Sequence, residues 1–362
     1  MADPDTLPLP VLAIEHDVSL AAHTTLGLGG PAAHFVEVHD TGALIQALRW
    51  ADDGGHATWI LGGGSNVVVS DNGFDGLVVR PRLRGIDLAK GGSVTLLRAA
   101  AGECWDDLVA TATVAGLSGI ECLSGIPGLV GASPIQNVGA YGQEVSNVLR
   151  SVRAYDRRSR EIVELSAADC ALTYRDSVFR REPERWVVLE VTFTLANDGV
   201  PEIRYAELAR QLAGGPSTPA HVRDTVLRLR RSKSMVLDPD DDNRRSAGSF
   251  FTNPIVARDT ATAVESKARN RGLLAQRDFP AWPMGPDKSK LAAGWLIEAA
   301  GFVKGERRGP VGLSSAHALA LVHHGGGTTR ELLAFAREIA DRVHATFGVT
   351  LRPEPVLVGV EF

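Results

Sequence analysis

The stretch LGGGSNVVVS, residues 61–70, places three glycines, a serine and an asparagine between two strand signals. ATWIL (57–61) leads in and Val67-Val68-Val69 leads out, with no helix pattern on either side. A Rossmann fingerprint needs G-x-G-x-x-G opening a helix, with an acidic residue further on. A P-loop needs Lys after its last glycine, and Ser65 follows Gly64 here. Both common nucleotide folds are therefore poor fits. Consecutive glycines, having no Cβ, still form a nest whose N–H groups converge on an anion. A tight hairpin with no ligand is the competing interpretation of this stretch alone.

A second glycine-rich segment changes the balance. IECLSGIPGLVGASPIQNVGAYGQEV (120–145) is too long for a turn and too apolar for a disordered linker. Ordered loops of this length are usually functional. Its glycines at 125, 128, 131, 139 and 142 alternate with Ser124, Ser133, Gln136 and Asn137, and Tyr141 adds an aromatic surface. Two such loops in adjacent α/β units suit a dinucleotide lying extended.

The organisation along the chain follows from periodicity. TGALIQALRWADDGG reads as a helix with Leu44, Leu48 and Ala51 on one face, stopped by Gly54-Gly55. LVVR (77–80), SVTLLRAAAG, SVRAYD, EIVELS and VVLEVTFTL read as strands, and residues 104–119 as an amphipathic helix. Residues 201–245 carry prolines, glycines, a basic helix (221–233) and the acidic run DPDDD, which marks a domain junction. Beyond it AGSFFTNPIV begins a strand. Helices are expected over 259–272, 290–301 and 328–348, and VTLRPEPVLVGVEF reads as a terminal strand broken by Pro353 and Pro355.

At 362 residues, and about 150 per domain, two or three domains fit. The 44% hydrophobic and 22% charged composition is that of a globular chain with a real core. A net charge of −5 with no basic block gives no reason to expect nucleic acid. The early acids and prolines do not make a signal peptide, and no apolar run reaches the roughly 18 residues of a membrane span. Cys104, Cys122 and Cys170, odd in number and far apart, suggest buried thiols in a reducing cytoplasm.

Taken together, LGGGSN (61–66), SGIPGLVGASPIQNVGAYGQEV (124–145), TYRDSVFR (173–180), AGSFFTNP (247–254), KLAAGWLIEAAGFVKG (290–305) and RPEP (352–355) resemble the UDP-N-acetylenolpyruvoylglucosamine reductases, also called UDP-N-acetylmuramate dehydrogenases. The likeness runs from about residue 19 to the last residue. LGGGSN by itself resembles only the wider group of vanillyl-alcohol-oxidase-type FAD enzymes. The resemblance implies an α+β chain: a two-subdomain FAD-binding module of the PCMH/vanillyl-alcohol-oxidase type plus a C-terminal α+β substrate-binding domain. The divisions expected are an arm over 1–18, FAD-binding subdomains over 19–83 and 84–232, a substrate-binding domain over 233–350, and a strand over 351–362 carrying a catalytic glutamate.

The same resemblance implies non-covalent FAD along Gly62, Gly63, Gly64, Ser65 and Asn66, and along Ser124, Ile126, Gly131, Ala132, Gln136, Asn137 and Gly139. NADPH would be the co-substrate and UDP-GlcNAc-enolpyruvate the substrate. Arg175 would pair with the substrate carboxylate through its guanidinium fork. Glu354 would stabilise the enol as an acid or through water, and Ser249 would protonate the carbanion. Tyr205 would cover the diphosphate, with Tyr174 and Asn253 also at the substrate, and the insert LAQRDFPAWPMGPDK fits the first of the family's two types. Two departures stand out. The segment before AGSFF, LDPDDDNRRS, lacks the family's Lys, leaving Arg244, Arg245 or Lys233 as substitutes. Ala299, next to Glu298, stands where a Gln is common.

Other features read as structural. His323-His324 before three glycines reads as a surface turn, His317 as a packed histidine, DPDDD as a solvated loop lacking the EF-hand Gly and Glu, and Phe250-Phe251 as core. No metal site is expected, and the protein is expected to be a cytoplasmic monomer without membrane insertion. Two rival functions remain at this point: another FAD oxidoreductase of the same fold group, and a non-catalytic UDP-sugar-binding protein.

Overall fold

The computed structural model describes residues 12–197, 199–215, 218–274 and 278–362. The chain divides into two compact units. The first comprises Met1–Val18, Ala32–Gly63 and Phe74–Leu229; the second comprises Ser19–Pro31, Gly64–Gly73 and Arg230–Phe362.

The first unit holds two sheets. One has the order Glu15–Ser19, Pro31–Val38, Phe74–Pro81, Ala57–Ile60, with Phe74–Pro81 parallel to both Pro31–Val38 and Ala57–Ile60. Helix Thr41–Gly54 makes the crossover that parallel strands require. Asp40 caps it by accepting Ala43 N–H at 2.8 Å, Gly55 ends it at φ 68°, and Leu44, Ala47, Leu48 and Ala51 face the core. The other sheet is antiparallel, ordered Glu161–Ser166, Leu149–Asp156, Trp186–Asn197, Val94–Ala100, Ile86–Gly91. Its strands alternate inward Val152, Ala154, Val191 and Phe193 with polar neighbours, as a half-buried sheet should. Helix Trp105–Val114 buries Trp105, Leu108 and Val109 in the same core. Residues 120–147 hold three short 3₁₀ turns and a two-residue hairpin, Gly139–Ala140 with Gln143–Glu144.

The second unit has a four-stranded sheet ordered Ser246–Ser249, Ala320–His323, Val311–Leu313, Arg307–Arg308. A three-stranded sheet follows the order Ile255–Ala257, Lys288–Leu291, Ala281–Pro283, and Val356–Val358 pairs in parallel with Val67–Val69. Helices Arg258–Asn270, Ala293–Ala299 and Thr329–Phe347 enclose a core that includes Phe250, Phe251, Phe302, Phe335 and Ile339. The α+β expectation is met by this mixture.

Several local expectations are corrected. The arm expected over 1–18 falls partly on residues 1–11, outside the described residues, and Glu15–Ser19 is a strand. The helix expected over 290–301 spans only Ala293–Ala299, because Lys288–Leu291 is the middle strand of a sheet. The insert over 274–288 lies partly outside the described residues, at 275–277. His323 is not in a surface turn: it is buried in a strand, with its Nδ1 on the Leu26 carbonyl and its Nε2 accepting Gly327 N–H, both at 3.0 Å. Cys122 and Cys170 are buried and their thiols are pushed up to about 12, chiefly by burial, whereas Cys104 is half-buried. No described helix is long and apolar enough to cross a membrane.

Candidate active site

In the first unit the two glycine loops meet backbone to backbone. A Cβ on Gly63 would lie 2.9 Å from the Gly128 Cα, so no side chain fits there. Gly62 faces the Ala132 Cβ, again with little bulk. Ser133 is 1% exposed and its Oγ has no protein hydrogen-bond partner; neither does the buried Thr58 Oγ1. The Ser133 hydroxyl, left open next to Ala132 in a small-residue cradle, fits a flat polar ligand such as FAD. Ser124 is different: it is fully buried and its hydroxyl donates to the Glu121 carbonyl at 2.6 Å.

The second loop is held from below by a buried carboxylate. Glu121 is 0% exposed and accepts Gly119 N–H at 2.6 Å and Gln143 Nε2–H at 2.7 Å. Gln143 in turn accepts Cys122 N–H at 2.8 Å, and Asp106 accepts Gly125 N–H at 2.6 Å. Asn137, at φ 43°, ties three strands of loop together. Its Nδ2 donates to Glu144 Oε2 at 2.9 Å and to the Thr173 carbonyl at 3.1 Å, and its Oδ1 accepts Ser146 N–H at 2.9 Å. These bonds turn the Asn137 side chain toward protein.

Arg175 follows from that loop. It has φ 55°, and its guanidinium donates to the Gly139 carbonyl at 3.1 Å and the Asn137 carbonyl at 3.4 Å while lying over the Tyr174 ring. Asp176 pairs with Arg181, not with Arg175. Ser177 donates to the Ile135 carbonyl at 2.6 Å, and Arg180 donates to the Arg175 carbonyl. A non-glycine φ of this kind costs of order 1 kcal/mol and persists where surroundings over-determine it. Tyr205 is 41% exposed and meets Tyr141 edge-on at 5.4 Å.

In the second unit, Gly64 has φ 67°, and a Cβ there would strike the His23 carbonyl at 1.9 Å. Gly64 O accepts Thr25 N–H at 3.0 Å, and Asn66 O accepts Val356 N–H at 2.9 Å. The loop LGGGSN is thus divided: Gly62 and Gly63 pack in the first unit, and Gly64, Ser65 and Asn66 in the second.

Ser249 ends the strand Ser246–Ser249, opposite Ala320. The next residue fixes it: Phe250 N–H donates to the Leu319 carbonyl at 2.7 Å. Glu354 N–H donates to the Phe250 carbonyl at 2.8 Å, and Thr252 N–H to the Arg352 carbonyl at 3.1 Å. Ser249 and Glu354, 105 positions apart in sequence, are therefore carried on two paired segments. Asn253 caps a helix: its Oδ1 accepts Ala293 N–H at 2.9 Å.

One residue beside these segments was undervalued at the sequence level. The His317 Nδ1 accepts Leu319 N–H at 3.1 Å, so its ring orients the carbonyl that holds Phe250. Burial first, then Lys233, Lys304 and Arg230, lowers its pKa to about 4. It is a neutral imidazole in a cationic surround. Asn243 adds to this corner by joining Ser234 and Ser315 through its amide. Arg244 is engaged with the Asp241 carbonyl at 3.2 Å. Among the described residues no group of three His, Cys, Asp or Glu is placed to hold a metal ion.

Comparison with known proteins follows the same lines. Residues 32–166 match the family described as FAD binding domain, and residues 238–358 match the C-terminal domain of UDP-N-acetylenolpyruvoylglucosamine reductase. A UDP-N-acetylenolpyruvoylglucosamine reductase from Streptomyces coelicolor is 52% identical over 350 residues, covering 95% of this chain and 90% of the relative. One from Thermobifida fusca is 49% identical over 349 residues, covering 95% and 98%. The crystal structure of the Thermus caldophilus reductase superposes with a TM-score of 0.65 at 26% identity, covering 96% and 99%.

Proposed function

The chain belongs to the UDP-N-acetylenolpyruvoylglucosamine reductase family, and we propose from that premise that it reduces the enolpyruvyl ether of UDP-GlcNAc-enolpyruvate to the lactyl ether of UDP-N-acetylmuramate, with NADPH as reductant. It is a flavoprotein oxidoreductase of peptidoglycan precursor synthesis. FAD, held without a covalent bond by the two glycine loops, supplies hydride chemistry between NADPH and the terminal methylene carbon. The Ser133 hydroxyl and the small residues Gly62, Gly63 and Ala132 support this assignment of the cradle.

Addition of hydride to the methylene leaves negative charge on the neighbouring carbon, spread into its carboxylate. That charge needs fixed donors and one proton. Arg175 meets the carboxylate, its guanidinium orientation preset by the Gly139 and Asn137 carbonyls. Glu354 stabilises the enol as an acid or through water. Ser249 gives its proton to the carbon; a carbanion next to a carboxylate is still a far stronger base than an alkoxide, so no base beside the serine is needed. The pairing of the Ser249 and Glu354 segments through the Phe250 carbonyl is the single observation that most supports these two roles.

Tyr205 and Tyr174 complete the substrate contacts in this reading. Asn253 acts at one remove, through the helix start it caps. Of the three candidates for the family's phosphate-holding Lys, Lys233 is favoured, because it stands in the cationic surround of His317. The protein works as a cytoplasmic monomer, and the 19–83 and 84–232 divisions are its two FAD-binding subdomains; the first holds Pro31–Val38, Ala57–Ile60 and Phe74–Pro81 of the one sheet and the second the whole of the other.

The test is Ser249→Ala. Flavin bleaching by NADPH should keep its rate, while flavin recovery on adding the enolpyruvyl sugar should slow by about 10²–10⁴-fold, the range of a general-acid contribution. Recovery at the wild-type rate would remove Ser249 from the proton step.

A further inference from the structure

A groove of about 770 Å³ lies in the second unit, between helix Thr329–Phe347 and segment 350–357. Its one wall is a single face of helix Thr329–Phe347, made by Arg337, Ala340, Asp341 and His344 at i, i+3, i+4 and i+7 spacing. The other wall is Thr350, Leu351, Arg352, Pro353, Pro355 and Leu357 of the terminal segment. Glu354 lies between two of these and is not part of the lining. Phe362 closes one end, and its ring meets Phe251 at 5.9 Å and Phe250 at 6.3 Å.

The lining pairs an apolar floor with a positive rim. Two guanidinium groups, of Arg337 and Arg352, line it together with one side-chain carboxylate, that of Asp341. Arg337 is oriented by its bond to the Glu361 carbonyl at 2.6 Å. The volume is within the roughly 300–1,000 Å³ of small-molecule sites. None of these residues has a part in holding FAD or substrate in the function set out above.

We propose that this groove is a second ligand site, which takes a small organic anion with a flat or aliphatic apolar body. The apolar part packs on the prolines and Phe362, and the anionic group meets Arg337 and Arg352. A ligand there touches the two prolines flanking Glu354 and the ring beside Phe250, so its binding is linked to the arrangement of that segment.

The experiment is a fluorescence titration of the FAD-loaded enzyme with 1-anilinonaphthalene-8-sulfonate, in saturating UDP so that the nucleotide site is blocked. One bound probe per chain is expected. Ala340→Trp, which fills the groove, and the double variant Arg337→Gln/Arg352→Gln should each weaken binding about tenfold or more, a loss of about 1.4 kcal/mol. Each must retain its flavin and its melting temperature. The uncharged N-phenylnaphthylamine should bind at least about tenfold more weakly than the sulfonate, for the same loss of a charged contact. Equal probe affinity in wild type and both variants would overturn the proposal. So would equal affinity for the uncharged analogue, or a mass in sedimentation that doubles with concentration and excludes the probe, which would make a second copy the occupant.

Discussion

His317 shows what a single residue can hide. Its ring nitrogen holds the Leu319 amide, one residue's length from the carbonyl that anchors Phe250. The ordinary value of a histidine is 6.5, and burial with Lys233, Lys304 and Arg230 brings this one to about 4. Between those values the unfolded chain binds a proton that the folded chain does not. Stability therefore falls as pH drops from 6.5 toward 4, by on the order of 2–3 kcal/mol from this residue. In His317→Gln, urea denaturation across that window should show a shallower loss than in wild type. An unchanged slope would mean that His317 is protonated in the folded state. In sequence, SSAHALALV gives a histidine on an apolar background and nothing more, since the three cations come from 230, 233 and 304. Arg175 was legible only through its motif. Its positive φ and its two carbonyl partners come from residues 137 and 139, which no local pattern connects to it.

Elements were legible where the signal is local. Helix Thr329–Phe347 buries Leu332, Leu333, Phe335, Ala336, Ile339, Val343 and Phe347, a 3.6-residue period that its sequence displays openly. Its start is a capping box: Thr328 Oγ1 accepts Glu331 N–H at 3.2 Å, and Glu331 accepts Thr328 N–H at 2.9 Å. Asp71 accepts Thr329 N–H at 2.7 Å and Arg330 N–H at 3.0 Å. Thr328→Ala should cost about 1 kcal/mol, and thermal unfolding should fall by about 2 °C. No shift in melting temperature would mean that Asp71 alone caps this helix. The helix expected over 290–301 failed at its front because Lys288–Leu291 has strand partners on both sides, at 255–257 and 281–283. Val67–Val69 read as a strand, but its parallel partner, Val356–Val358, lies at the far end of the chain. Such pairings are set by tertiary packing, which local periodicity does not carry.

For the whole molecule, composition and charge excluded classes without selecting one. The glycine loop followed by valines excluded the common nucleotide folds, and the joint occurrence of six motifs reached the family. The division of the chain was harder to read, because the second unit is assembled from three separate stretches, 19–31, 64–73 and 230–362. One of the boundaries cuts LGGGSN between Gly63 and Gly64. A boundary inside a motif leaves no change of composition to mark it. The central claim is that one chain carries both flavin half-reactions, from NADPH and to an enolpyruvyl sugar. The most direct measurement is an anaerobic visible spectrum of the purified protein, first with NADPH and then with UDP-GlcNAc-enolpyruvate. The account predicts a flavin band that bleaches with NADPH and returns only when the enolpyruvyl sugar is added. A band that bleaches and stays bleached with the sugar present would contradict the substrate, and the lack of any flavin band after adding FAD would contradict the cradle.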